Sequence, residues 1–304
     1  MKRSNLESLI ARCMLAAVLL PFASAASGQS ARFGTDFDFV HDSNVTRGLD
    51  PDRRSDNILS AEGYVGRSFY LGPRSGAVLR AGLRYSHFTD FKDLSNLALS
   101  GRAAYRIQPV AGFSAPWLEV ATDLAWLKHS DSELRDGTIG TLSASAGSLL
   151  TDRVSATAGG GVQKRSSKDP SGLYDLSTKR IWATLDYRVG VQAALYGRAT
   201  RIAGDHVFTA ADPASKGALI PLAAVIAFDP ALQRGYTGGL TPFGYRIKAK
   251  TTLFELGFNY PLSGHDALDF GVSRSTSKTD AGSRYYGDQK YDDVQVRAAY
   301  LYRF

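Results

Sequence analysis

Sulfur is almost missing from this chain. It has two methionines and one cysteine, Cys13, in 304 residues. Cys13 lies in an N-terminal segment with the make-up of a cleavable export leader. Lys2 and Arg3 are basic, Met14 to Phe22 is a short apolar run, and Ala23-Ser24-Ala25 is a small-residue cleavage site. Residues 1–25 are therefore expected to be a signal peptide and 26–304 the mature domain. Arg12 before Cys13 and the apolar run after it do not suit lipid attachment. The mature chain then has no thiol, which excludes disulfides, thiolate catalysis and thiolate metal sites.

Long apolar runs are also lacking. Beyond residue 25 no stretch approaches the roughly 20 apolar residues that a membrane-crossing helix needs. The formal charge is +7, yet no run of five or six basic residues and no nucleic-acid motif is present, so nucleic acid is not an expected partner. Gly159-Gly160-Gly161 is followed by no helical pattern and is not a phosphate cradle; small residues in a strand mark close packing or a bend. The histidines of the mature chain are His41, His87, His129, His206 and His265. Ser86-His87 and His129-Ser130 are adjacent pairs, and neighbours on a strand point to opposite faces, so neither meets by local geometry. The acids of Asp42–Asn44 and Asp50–Asp56 match no calcium-loop spacing and read as a solvated loop. No catalytic residue, metal or cofactor is expected.

What the chain has in abundance is alternation. The segment Val294 to Phe304 places Val294, Val296, Ala298, Tyr300, Tyr302 and Phe304 on one face. Similar segments run over 31–41, 58–70, 77–87, 94–107, 116–128, 138–150, 153–163, 179–189, 191–202, 250–260 and 267–277. Together they predict twelve strands, with ten and fourteen as neighbouring counts. The connections alternate between short turns and longer polar loops, which places both termini on the short-turn side. A soluble sandwich would bury the aromatic faces on a second sheet, but leaves the charged residues on nearly every opposite face unexplained. The expected fold is all-β, a transmembrane antiparallel up-and-down barrel of about twelve strands. Only closure leaves no unpaired backbone in lipid.

On this register the faces opposite the aromatics turn inward. They carry Arg80, Arg84, Arg102, Arg106, Arg180, Arg188, Arg198, Arg297 and Arg303, against Asp36, Asp38, Glu62, Glu119, Asp123, Asp186, Glu255, Asp269 and Asp293. The acids concentrate on the strands at the two ends of the chain and many arginines on those between, which predicts a field across the lumen. The competing expectation is a salt-bridge web, with Glu119 near Arg102 and Asp186 near Arg188. The segment 203–249, whose apolar Gly217–Phe228 contains Pro221 and is followed by Pro230, is expected to be a constriction or lid: an external helix, a loop folded into the lumen, or an extra hairpin.

The closing segment, ending on Tyr302-Arg303-Phe304, resembles the last strand of bacterial outer-membrane barrels, and that resemblance implies that Tyr302 and Phe304 are read by the barrel-assembly machinery. The segment Phe37-Asp38-Phe39-Val40-His41-Asp42-Ser43-Asn44-Val45-Thr46-Arg47 is similar to the opening strand and turn of β-barrel porin-like proteins of Gram-negative bacteria. It is similar as well to the barrel domains of exopolysaccharide-export and surface-lipoprotein-assembly proteins. Those usually carry a periplasmic helical-repeat domain, for which residues 26–30 leave no room. The leading expectation is a monomeric outer-membrane channel among outer-membrane lipids, passing small polar or charged solutes; the architectural resemblance to twelve-stranded barrels with arginine-lined lumens, which admit acidic oligosaccharides, makes anionic saccharides the favoured class. The second expectation is an outer-membrane anchor or assembly and export component that binds partners through its outer loops. A lipid hydrolase is third.

Overall fold

The computed structural model describes residues 31–190, 192–212, 223, 225–236, 239–279 and 289–304. The expected signal segment, 1–25, lies outside them, as do Pro221 and most of the 278–291 loop.

Among the described residues thirteen strands form one sheet. They are β1 (Arg32–Asp42), β2 (Asp56–Gly72), β3 (Ser75–Phe88), β4 (Asn96–Ile107), β5 (Trp117–His129), β6 (Gly137–Leu149), β7 (Val154–Ser167), β8 (Leu176–Val189), β9 (Ala193–Ala210), β10 (Val225–Phe228), β11 (Phe243–Pro261), β12 (Asp266–Thr279) and β13 (Lys290–Arg303). Each strand pairs antiparallel with its neighbour in sequence, except that β9 skips β10 and pairs with β11. Pairing of β1 with β13, in the register Phe37↔Tyr300, closes the cylinder. The result is a closed barrel of twelve strands, with β10 an extra strand on the edge of β11. Closure leaves no edge strand in the twelve-stranded wall, the condition for a sheet to stand in lipid.

The twelve expected segments correspond one for one to the wall strands. The differences are at the ends. β9 and β11 run well past the expected Ile202 and Lys250, reaching Ala210 and Phe243, so residues 203–210 and 243–249 are a tall ladder and not a loop. The ladder absorbs Gly204 at φ +139°, where a side chain would be strained and would strike the Ser177 carbonyl.

Outward faces are apolar around the whole cylinder. Phe37, Leu83, Val120, Leu142, Ile181, Phe254, Leu256 and Val296 are all exposed. So broad an apolar belt is incompatible with a water-facing surface. Near the short-turn end, outward Tyr105, Tyr187 and Tyr260 give the aromatic ring found where a barrel meets the lipid headgroups. At that same end Tyr302 and Phe304 pack edge to face, with centroids 4.7 Å apart, and the Phe304 amide donates to the Phe33 carbonyl at 3.0 Å.

Among the described residues the large buried apolar side chains form three clusters, and all three lie at the long-loop end. One is built on Phe208, Phe243, Tyr245, Ile247 and Tyr291, one on Phe91, Leu94, Leu232 and Tyr236, and one on Leu134, Leu173 and Tyr174. The wall is held by its backbone ladder, whereas the outer end has a packed core of its own.

Candidate functional site

Alternation turns one face of every wall strand to the interior. The expected charged residues meet there in two webs. In the first, Arg80 reaches Glu62 at 2.6 Å and Asp36 at 3.9 Å, Arg84 reaches Asp38 at 3.1 Å, and Arg303 reaches Asp36 at 2.5 Å. Arg297 extends this web to Asp269 and to the Tyr196 hydroxyl. In the second, Arg102 donates to Asp123 at 2.9 Å and to Glu119 at 3.0 Å, while Arg106 donates to Glu119 at 2.7 Å and lies over the Trp117 ring. Arginines and acids therefore interleave on neighbouring strands. The expected separation into two walls is replaced by local pairing, because the acids of β1, β2, β5 and β12 sit one strand from, or diagonal to, the arginines of β3, β4 and β13.

The remaining arc, β8 and β9, is different. Arg198 donates from Nε to the Thr184 hydroxyl at 3.1 Å. Arg180 leans on the Trp182 ring at 5.4 Å, and its Nε is buried without a hydrogen-bond partner. Arg188 is exposed at the short-turn end, and Asp186, expected beside it, instead accepts from Ser155 at 3.3 Å. Glu255 sits opposite Arg198 in the β11–β9 register. Among the described residues no carboxylate makes an ion pair with Arg180, Arg188 or Arg198.

The interior is not packed shut by these groups. Side chains of Arg80, Arg84, Arg102, Arg106 and Arg297 remain 36% to 54% accessible although each is paired. Four large inward rings are laid flat against the wall. Those of Tyr64, Trp117, Trp182 and Tyr196 lie over the inward glycines Gly34, Gly147, Gly159 and Gly257 of adjacent strands. A Cβ at Gly159 would stand 2.5 Å from Trp182 Cζ2, and one at Gly257 2.1 Å from Tyr196 Cζ. Glycine on one strand is what lets an aromatic of the next fold down beside it. The glycine run at 159–161 thus has a packing role that its sequence suggests only in outline.

The outer mouth is crossed by the chain. β10 pairs with β11 from Val225↔Arg246 to Phe228↔Phe243, and a short 3-10 turn, Pro230–Gly235, follows. Of the options for Gly217–Phe228, the described part is an added edge strand, ended by Pro230. Asp229 fastens this crossing. Fully buried, it accepts from Arg135 Nη2 at 2.7 Å, from the Tyr174 hydroxyl at 2.7 Å and from the Ala231 amide at 3.2 Å. Burial opposes the charge on Arg135, but Asp229 outweighs it and holds the guanidinium pKa above its ordinary value. Burial pushes the Tyr174 and Tyr236 hydroxyls up, Tyr236 to about 12.

Other loop acids are anchors too, not the solvated groups that the sequence suggests. Asp52 accepts the amides of Ala211 and Asp212, both at 2.9 Å, and its carbonyl takes the Tyr236 hydroxyl at 2.6 Å. Asp56 accepts the amides of Thr89, Asp90 and Phe91 and so folds the β3–β4 loop onto the rim. Nothing in the sequence around Asp229, Asp52 or Asp56 separates them from surface aspartates, since their partners lie up to 184 residues away. Among the histidines only His206 meets a hydroxyl relay: Nε2 lies 2.8 Å from Thr251 Oγ1, which lies 2.7 Å from Ser277 Oγ.

No protein-family model and no curated protein matches the chain. Among solved structures it is similar to the COG4313 outer membrane channel from Pseudomonas putida F1, with a TM-score of 0.55 and 12% identity, over 92% of this chain and 97% of that one. It is also similar to the KdgM porin in complex with disordered oligogalacturonate (TM-score 0.44, 8% identity, 88% of this chain and 99% of that one) and to the NanC porin (0.45, 10%, 88% and 98%). At 12% identity the likeness to the first of these is one of fold alone: a closed antiparallel barrel of the outer-membrane type.

Proposed function

We propose that this chain is an outer-membrane channel for the passive diffusion of small polar or charged solutes, with anionic saccharides the favoured class. Residues 1–25 serve as its signal peptide and the barrel works as a monomer. The carrying observation is that paired interior arginines stay more than a third accessible while the large inward rings lie flat on glycines. A barrel stabilised by filling would bury those guanidinium groups. Arg80, Arg84, Arg102 and Arg106, with Asp36, Asp38, Glu62, Glu119 and Asp123, form a polar, nearly neutral passage. Arg180 and Arg198, lacking an acid partner among the described residues, supply the anion preference, with Arg188 at the exit and Glu255 as a moderating charge. The β10 crossing is the constriction. Tyr302 and Phe304 carry the assembly signal.

A second reading has one observation in its favour. The packed, aspartate-anchored outer end suits an anchor that presents loops to a partner and conducts nothing. Single-channel recording of the refolded chain in a planar bilayer under a salt gradient decides between them. Discrete conductance with anion-leaning reversal supports the channel. A folded, heat-modifiable barrel without conductance supports the anchor.

A further inference from the structure

The lipid-facing surface is apolar nearly everywhere, but on β8, β9, β11 and β12 it turns basic below the outer rim. Lys179, Arg201, Lys250, Arg274 and Lys278 all occupy outward register positions, continuing the rows that carry Ile181, Phe254, Leu256, Phe270 and Val272. Four of them, Arg201, Lys250, Arg274 and Lys278, line a groove of about 580 Å³ together with Thr252, Thr276 and Phe254. The β1 to β4 part of the rim carries no such group: its outward residues at this height are His41, Asn57, His87 and Leu97.

Two features show that the cluster wants an anion. Lys250 faces Lys278 across the β11–β12 ladder, and Lys278 faces Lys290 across β12–β13. Like charges directly opposite one another destabilise a sheet. The outward acids nearby are already engaged, Asp205 by Lys248 at 2.9 Å, and Asp292 by Lys290 at 2.9 Å and by Thr276. Among the described residues no carboxylate forms an ion pair with Arg201, Arg274 or Lys278. Cations on the lipid face of a barrel are costly unless they sit near the interface. The groove's floor is Phe254, at the top of an apolar row that ends in Tyr260. The occupant must therefore be anionic above and apolar below.

We propose that this groove binds the phosphate groups of the phosphorylated glycolipid of the outer leaflet, its acyl chains lying along Phe254, Leu256 and Val272. Arg274 and Arg201 donate to one phosphate from below and Lys278 to it from above, with the Thr252 hydroxyl, which takes Arg201 Nη1 at 2.9 Å, between them. The proposal rests on placing the barrel in an outer membrane.

The test uses the refolded full chain and native mass spectrometry with diphosphorylated lipid A, its dephosphorylated form, phosphatidylglycerol and inorganic pyrophosphate. Wild type is expected to retain lipid A in preference to the other three. Arg274→Ala and Lys278→Ala should each weaken that retention about tenfold or more, the scale of one charge-assisted hydrogen bond. Lys128→Ala, on the opposite side of the rim, should leave it unchanged. These side chains are exposed, so heat-modifiable folding is expected in every variant. Equal retention of the dephosphorylated lipid, equal retention by the variants, or a preference for phosphatidylglycerol or pyrophosphate overturns the assignment. Failure of wild type to insert into lipid vesicles overturns the membrane placement instead, and is read separately.

Discussion

Replacing Asp229 by alanine should unfasten the outer mouth without unfolding the wall. Asp229 is fully buried and takes hydrogen bonds from Arg135, Tyr174 and Ala231. Its removal leaves a guanidinium and a hydroxyl without their partner in a packed environment. Breaking one side of a buried ion pair costs about 3–5 kcal/mol. That exceeds the roughly 1.5–3 kcal/mol that burial of one leucine such as Leu232 supplies to the same segment. The population with β10 and its following turn undocked should therefore rise by roughly a hundredfold to several thousandfold. The barrel ladder makes no use of Asp229, so heat-modifiable mobility should persist. Hydrogen exchange of residues 225–236 reads the docking directly, and single-channel conductance reads its consequence. Loss of protection in that segment with larger or noisier currents is expected. Asp229→Asn, which keeps an acceptor but loses the charge, should fall between. A folded Asp229→Ala barrel with wild-type protection at 225–236 would refute the reasoning, because the segment would then be held by apolar packing alone.

Three further outcomes follow from the interior and the outer loops. Arg180→Ala with Arg198→Ala should move the reversal potential toward cation preference, whereas Arg102→Ala combined with Asp123→Ala, which removes a paired couple, should leave it nearly unchanged; equal shifts would deny β8 and β9 their special role. Gly159→Val should force the Trp182 ring off the wall, costing about 1–3 kcal/mol by overpacking, and should lower conductance, read by thermal melting and bilayer recording. Burial raises the Tyr236 pKa to about 12 from an unfolded value near 10, so its contribution is complete below pH 10 and is lost as pH rises through 12. Exchange protection around its Asp52 contact should fall in that window and not between pH 7 and 9, and Tyr236→Phe should remove the step.

The wall was legible in the sequence because a strand's side-chain period is local. Phe254, Leu256, Phe258 and Tyr260 announce their outward face, and Glu255 its inward one, whatever strand lies beside them. Turn chemistry and the alternation of short and long connections then favoured twelve strands over ten or fourteen, and the β1–β13 and β9–β11 pairings settled the count. The partners of the charges needed the register. Arg102 has acids to choose from on several strands, and only the β4–β5 pairing brings Asp123 and Glu119 to it, while Arg198 is left to Thr184. The outer mouth was the least legible part. Asp229, Arg135 and Tyr174 lie on three different loops, Asp229 being 55 residues from Tyr174 and 94 from Arg135, and share no periodic pattern. Sequence alone determined that this chain closes into a barrel with a greasy outside and a charged inside, since both follow from residue-to-residue alternation. Tertiary structure decided which charges cancel, which stay free and what crosses the mouth, since those depend on distances between strands and loops that no local pattern encodes.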